Sequence, residues 1–220
     1  RSNMRDAGVL RIDHVMGWQR LFLIPAGAPA SEGFYLRYPM DDFVAIAALE
    51  SRRNSCVVIG EDLGTVPAGF RERMAAANVL STRVFYFEQE QGRFRTPDAF
   101  PKLASVSVTT HDLATLRGYW EMDDISAKVR LGVINSQEEQ FARDRRAWDK
   151  QVLLEALRQE NLLPPEADSD GANDVSWSPA LVQAVHLYLA RSPSLLLAVQ
   201  LDDLVGELHQ ANLPDSGDNA

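Results

Sequence analysis

Short apolar runs that end in carboxylates recur along this chain, and that recurrence restricts the possible fold more than any other feature. Val9-Leu10-Arg11-Ile12 runs into Asp13-His14, and Cys56-Val57-Val58-Ile59 into Gly60-Glu61-Asp62. Val106 to Thr110 is followed by His111-Asp112, and Leu195 to Leu201 by Asp202-Asp203. Each run reads as a short buried strand, and Val79 to Phe87 reads as another. Helical patterns fill the intervals. One runs from about Asp42 to Arg53, with Pro39 ahead of it, Asp41 as its cap and Phe43, Ile46, Ala47 and Leu49 on one face. A second begins near Pro67, a third spans Glu138 to Asn161, and a fourth spans Pro179 to Arg191, preceded by a polar linker from Leu163 to Asp174. Strands alternating with helices are the pattern of an α/β barrel or a doubly wound sheet. No glycine-rich phosphate loop follows any strand, which disfavours a nucleotide-binding sheet.

The charged strand ends need a reason. Arg11, Asp13 and His14 place a cation, a carboxylate and an imidazole within four positions, and burying charges without partners costs roughly several kcal/mol. Such a cluster either pairs internally or faces a cavity where its charges are used. In a barrel the loops after the strands share one face, which would bring Asp13, Glu61 and Asp112 together. Like charges held close repel and push one pKa upward. Glycoside chemistry uses that separation: one ionised carboxylate attacks the anomeric carbon and one protonated carboxyl donates to the leaving oxygen. The plainer reading of Glu61 and Asp62 is that they cap the coming helix, with Gly60 and Gly64 turning the backbone sharply. Between Gly17 and Pro39 lies a long loop holding Trp18, Phe22, Phe34, Tyr35 and Tyr38, with Arg20 and Arg37. Its rings either stack on pyranose faces or pack the loop onto the body.

Composition excludes some classes. With 220 residues, 45% hydrophobic and 24% charged, the chain has material for one sizeable core. A net charge of -9 without clustered Lys and Arg argues against nucleic acid as a partner. The single cysteine, Cys56, excludes an intrachain disulfide and reads as a buried thiol. No apolar run approaches the roughly 18 residues of a membrane span, and the opening RSNMRDAG is not a signal peptide. The expectation is a cytoplasmic protein with no membrane partner, whose sequence enters a strand almost at once, as an internal segment of a longer protein does.

The strings RIDHVMGWQRLFLIPAG, GFYLRYPMDDFVAIAALES, VVIGEDLGTVP and TTHDLATLRGYW resemble the amylomaltase family of 4-α-glucanotransferases, the bacterial disproportionating enzymes of glycoside hydrolase family 77. The resemblance runs from about Val9 to Asp123 and resumes more loosely at LLLAVQLDDLVGE and ANLP. It implies the C-terminal part, about strands four to eight, of a (β/α)8 TIM barrel occupying residues 1–220, with a helical insertion or linker over 124–175 and two unpaired sheet edges. It implies a retaining transferase in which Asp13 is the nucleophile, Glu61 the general acid/base, and Asp112 the group that holds the hydroxyls of the reacting sugar. Arg11 would pair with Asp13 and His111 would bond the same ring. His14 contacts sugar or is structural, and Trp18, Phe34 and Tyr35 are candidates for binding substrate by aromatic stacking and for excluding water. Donors and acceptors would be maltooligosaccharides and α-1,4-glucans, with glucose as a small acceptor, and no metal or organic cofactor is required. A related α-glucan hydrolase, a debranching-type enzyme or an inactive glucan-binding fragment are the alternatives. Where the family continues Asn-Ile-Pro-Gly-Thr, this chain departs from it and has Asn212-Leu213-Pro214-Asp215-Ser216-Gly217.

Overall fold

A computed structural model describes residues 2–165 and 175–214. Most of the 163–174 linker and the 215–217 segment thus lie outside the described residues. The chain divides into two compact units, residues 1–83 with 103–105 and residues 84–102 with 106–220.

The first unit contains β1 (Val9–Ile12), β2 (Arg20–Leu23), β3 (Phe34–Arg37), α1 (Met40–Asn54), β4 (Val57–Gly60), α2 (Phe70–Ala76) and β5 (Leu80–Val84), whose last residue belongs to the other unit. β1 and β4 pair in parallel from Val9↔Val57 to Ile12↔Gly60, and β4 pairs in parallel with β5 at Ile59↔Leu80 and Gly60↔Ser81. The Ser81 N–H donates to the Leu103 carbonyl at 3.0 Å. Helices that follow parallel strands bury one face each, and here Phe70 and Met74 of α2 meet Val15, Cys56, Val58 and Val79 in the unit's core.

Several expectations change here. The Gly17–Pro39 stretch is not a plain loop: β2 and β3 form an antiparallel hairpin with Phe22 opposite Tyr35, their rings 5.0 Å apart, and Arg20 lies over Tyr35 at 4.1 Å. Every residue of β3 is exposed, so the hairpin carries no inside-outside alternation for a sequence reading to detect. α1 begins at Met40 after Pro39, so Asp41 lies in its first turn instead of capping it, and its carboxylate pairs with Arg73. Phe43, Ile46 and Leu49 are exposed, and Met40 and Ala47 are the buried residues of that helix. Gly60 does not make the turn. A Cβ there would lie 2.3 Å from Met74 Cε and 2.8 Å from Val15 Cγ1, so the glycine is required by packing, while Gly64, at φ 87°, turns the chain.

The second unit contains β6 (Gln89–Glu90), β7 (Arg93–Phe94), β8 (Ala104–Ser107, its first two residues in the other unit), α3 (Leu116–Glu121), α4 (Asp123–Arg130), α5 (Ser136–Gln159), α6 (Pro179–Ala190), β9 (Leu196–Ala198) and α7 (Leu201–Val205). β9 is the sheet neighbour of β8. The core gathers Phe85, Val106, Leu116, Trp120, Leu153, Leu157, Leu181, Val185 and Tyr188. The strand expected over Val79–Phe87 stops at Val84 and continues as a 3-10 turn, Phe85–Phe87. That expected over Val106–Thr110 lies earlier, and that over Leu195–Leu201 is shorter, leaving Asp202 and Asp203 in α7 and not at a strand end. Asn135 and Glu138 form a capping box at the start of α5. Arg146 of α5 then grips Asp124 of α4 through two bonds of 2.9 Å and lies 3.7 Å over Tyr119, which stacks on Tyr86 at 4.2 Å. Parallel strands with helices between them are the architecture of part of a (β/α) barrel.

Candidate active site

Because Ile12 pairs with Gly60, Asp13 and Glu61 are the next residues of two adjacent parallel strands. The ladder continues one step past the strands, through Glu61 N–H to the Ile12 carbonyl at 2.8 Å and Val15 N–H to the Glu61 carbonyl at 3.0 Å. Between these bonds His14 adopts a left-handed conformation, φ 44° and ψ 52°, a region histidine enters more readily than most residues. That turn aims the His14 N–H at Glu61 Oε2, 2.8 Å away, while the Leu63 N–H reaches Oε1 at 2.7 Å. Glu61 is therefore shielded, 9% exposed, with each carboxylate oxygen held by a backbone amide.

Asp13 has a different setting. Its side chain is 77% exposed and receives Arg11 at 2.9 Å. One carboxylate is fixed and covered while its neighbour is open and paired with a cation, the inequivalence that two carboxyl groups need to take different roles. The imidazole of His14 is exposed, so the residue's visible contribution is its backbone. Trp18 ends the 3-10 turn Val15–Trp18 and packs, partly buried, against the core.

Asp62 points elsewhere. Its Oδ1 accepts the Thr82 N–H at 2.8 Å, its Oδ2 accepts Arg71 Nε at 2.6 Å, and Arg71 also donates to its carbonyl at 3.0 Å. It is 1% exposed and ties β4 to α2 and β5. Neither acid caps the helix, whose N-cap is Gly69 with no side-chain bond.

In the second unit His111 and Asp112 follow β8. His111 Nε2 lies 3.3 Å from Asp112 Oδ2, and Asp112 N–H donates to Thr110 Oγ1 at 3.3 Å. Asn212 closes the group: its Nδ2 donates to Asp112 Oδ1 at 2.5 Å and its backbone N–H to the His111 carbonyl at 3.1 Å. Sequence pattern assigns Asn212 no functional role, and its one signal is the Asn-Leu-Pro string. Asp112 lines a pocket of about 620 Å³ with Tyr119, Phe141, Gln210 and Pro214. Asp203, expected at a strand end, is instead buried beneath α3, where its Oδ1 accepts the Leu116 N–H at 2.6 Å. Burial raises its pKa above the ordinary carboxylate value.

Among the described residues no group of three or more His, Cys, Asp or Glu is placed to hold a metal ion, and no helix is long and apolar enough to cross a membrane. Comparison with known proteins adds a family. Residues 1–220 match the family model of glycoside hydrolase family 77, 4-alpha-glucanotransferase. The chain is 41% identical over 215 residues to a 4-alpha-glucanotransferase of Haemophilus influenzae, covering 98% of this chain and 31% of that relative. It is 38% identical over 223 residues to one of Mycobacterium bovis, covering 99% and 30%. Its fold matches the crystal structure of amylomaltase from Corynebacterium glutamicum with a TM-score of 0.89 at 32% identity, over 96% of this chain and 30% of that one. The chain thus spans about a third of the length of these relatives.

Proposed function

Because this chain belongs to the 4-alpha-glucanotransferase family, glycoside hydrolase family 77, we propose that it carries the catalytic carboxylates of a retaining transferase moving α-1,4-glucan segments between maltodextrins. Asp13 attacks the anomeric carbon of the donor, and Glu61 protonates the departing glycosidic oxygen, leaving a covalent glucosyl-enzyme. Glu61 then takes the proton of an incoming 4-hydroxyl as that oxygen displaces Asp13. Asp112 accepts hydroxyls of the reacting ring with His111 beside it, and Arg11 holds Asp13. His14 contributes the amide that orients Glu61, and Trp18 supports this loop from the core side. Donors and acceptors are maltooligosaccharides, with glucose as the smallest acceptor, and the site works in the cytoplasm without metal or organic cofactor. In this reading residues 1–220 form strands four to eight of the barrel, with 124–175 as a helical insertion.

One observation carries the proposal: a covered glutamate whose two oxygens are held by the amides of His14 and Leu63, next to an open aspartate on the adjacent strand. Incubation with maltotriose tests it. Glucose and longer maltodextrins appear together at a nearly constant number of reducing ends, and both vanish in Asp13→Asn. A steady rise in reducing ends identifies a hydrolase instead, and unchanged activity in Asp13→Asn removes the nucleophile assignment.

A further inference from the structure

The segment that follows α7 is bound at its start to the N-terminal turn of α3. Thr115, the N-cap of α3, donates its hydroxyl to the Glu207 carbonyl at 2.7 Å, and Arg117 donates to the Gly206 carbonyl at 3.1 Å. The N–H groups of His209 and Leu208 both donate to Glu207 Oε1, at 3.0 and 2.9 Å, and these bonds lower the pKa of that carboxyl. His209 Nδ1 lies 2.9 Å from Asp123 Oδ2 at the start of α4. Gln210 Nε2 donates to the Asn212 carbonyl at 2.6 Å. These bonds fix a strap that has one end at α7 and the other at Asn212, beside Asp112.

We propose that Asn212 is a positioning residue for Asp112, delivered to it by this strap. A carboxylate that accepts sugar hydroxyls must present its lone pairs in a fixed plane, and a half-exposed Asp112 without partners would rotate about its side-chain bonds. The Asn212 amide donates to Oδ1 and, with the His111 ring on the Oδ2 side, sets that plane while leaving lone pairs on both oxygens for substrate. The backbone bond from Asn212 N–H to the His111 carbonyl locates the amide independently of its side chain. Removal of the side chain therefore keeps the strap and releases the carboxylate. The inference rests on the transferase reading, in which Asp112 holds the reacting ring.

The test uses the protein encoded by its full reading frame, assayed by maltotriose disproportionation beside Asp112→Asn. Asn212→Ala lowers kcat by about 10- to 100-fold, the range of a small misplacement at a reacting centre, with KM and melting temperature nearly unchanged. Asn212→Asp sets one carboxylate against another, with His111 beside Asp112, so its activity relative to wild type is lowest at neutral pH. Activity recovers as the pH falls, because the introduced carboxyl, once protonated, donates as the amide did. Wild-type kcat in Asn212→Ala, or a loss in both variants that follows melting temperature and ignores pH, overturns the inference. If Asp112→Asn keeps its activity, the transferase reading of Asp112 fails first, and the two failures are told apart.

Discussion

Gly118 sits inside α3, where a glycine-to-alanine change ordinarily stabilises a helix by about 1 kcal/mol. Here the same change destabilises. A Cβ on residue 118 would stand 2.4 Å from the carbonyl oxygen of Leu208 and 3.0 Å from Thr115 Oγ1. The first is a backbone atom of the strap, which must move by about 1 Å to restore ordinary contact. Forcing a group into a packed site costs about 1–3 kcal/mol, and the bonds from Thr115 to Glu207 and from Arg117 to Gly206 weaken as well, at about 0.5–1.5 kcal/mol each. Set against the gain in helix propensity of about 1 kcal/mol, the net loss is about 1–5 kcal/mol. For a chain of this size each kcal/mol lowers the melting temperature by about 2–4 °C, so the unfolding midpoint followed by circular dichroism falls by several degrees. On the proposed function, disproportionating activity at a temperature where the variant remains folded falls too, because the displaced strap carries Asn212. An unchanged or raised melting temperature would refute the reasoning, since it would mean that the strap yields without cost.

The two neighbouring acids respond differently to neutralisation. Glu61→Gln turns an amide N–H₂ toward the N–H of His14 or Leu63 and loses about 1–3 kcal/mol in urea unfolding along with activity, whereas Asp13→Asn, on an exposed side chain, loses activity with stability within about 0.5 kcal/mol. Asp62→Ala strands the buried Thr82 N–H and frees Arg71, so the first unit loses about 2–4 kcal/mol, read by the same unfolding experiment. Tyr188 donates to the Arg95 carbonyl at 3.0 Å, and burial pushes its phenol up to about 12. A raised folded value means that its contribution is complete below about pH 10 and is lost as the pH rises through about 12. Tyr188→Phe therefore costs about 1 kcal/mol at pH 8 and flattens the alkaline decline, which melting curves from pH 8 to 12 measure.

Local pattern was enough to establish the alternation of short strands and helices, and with it the positions of Asp13 and Glu61 one step past paired strand ends. An apolar run that stops at a charge marks a strand end whatever packs around it. The same logic misplaced Asp203, because the apolar run Leu195–Leu201 reads as one strand although β9 stops at Ala198 and α7 starts at Leu201, and the need of the α3 N-terminus for an acceptor is what explains a carboxylate there. It also missed the β2–β3 hairpin, whose exposed side chains obey no periodicity, and gave Gly60 a turn when its missing Cβ makes room for Val15 and Met74. At Glu61 the residue and its place were legible. That its two oxygens meet two amides, one supplied by a left-handed His14 beyond the adjacent strand, was not. Asn212 stands 100 residues from Asp112. Partners that far apart leave no trace in local pattern, because their meeting depends on how the intervening helices pack around them.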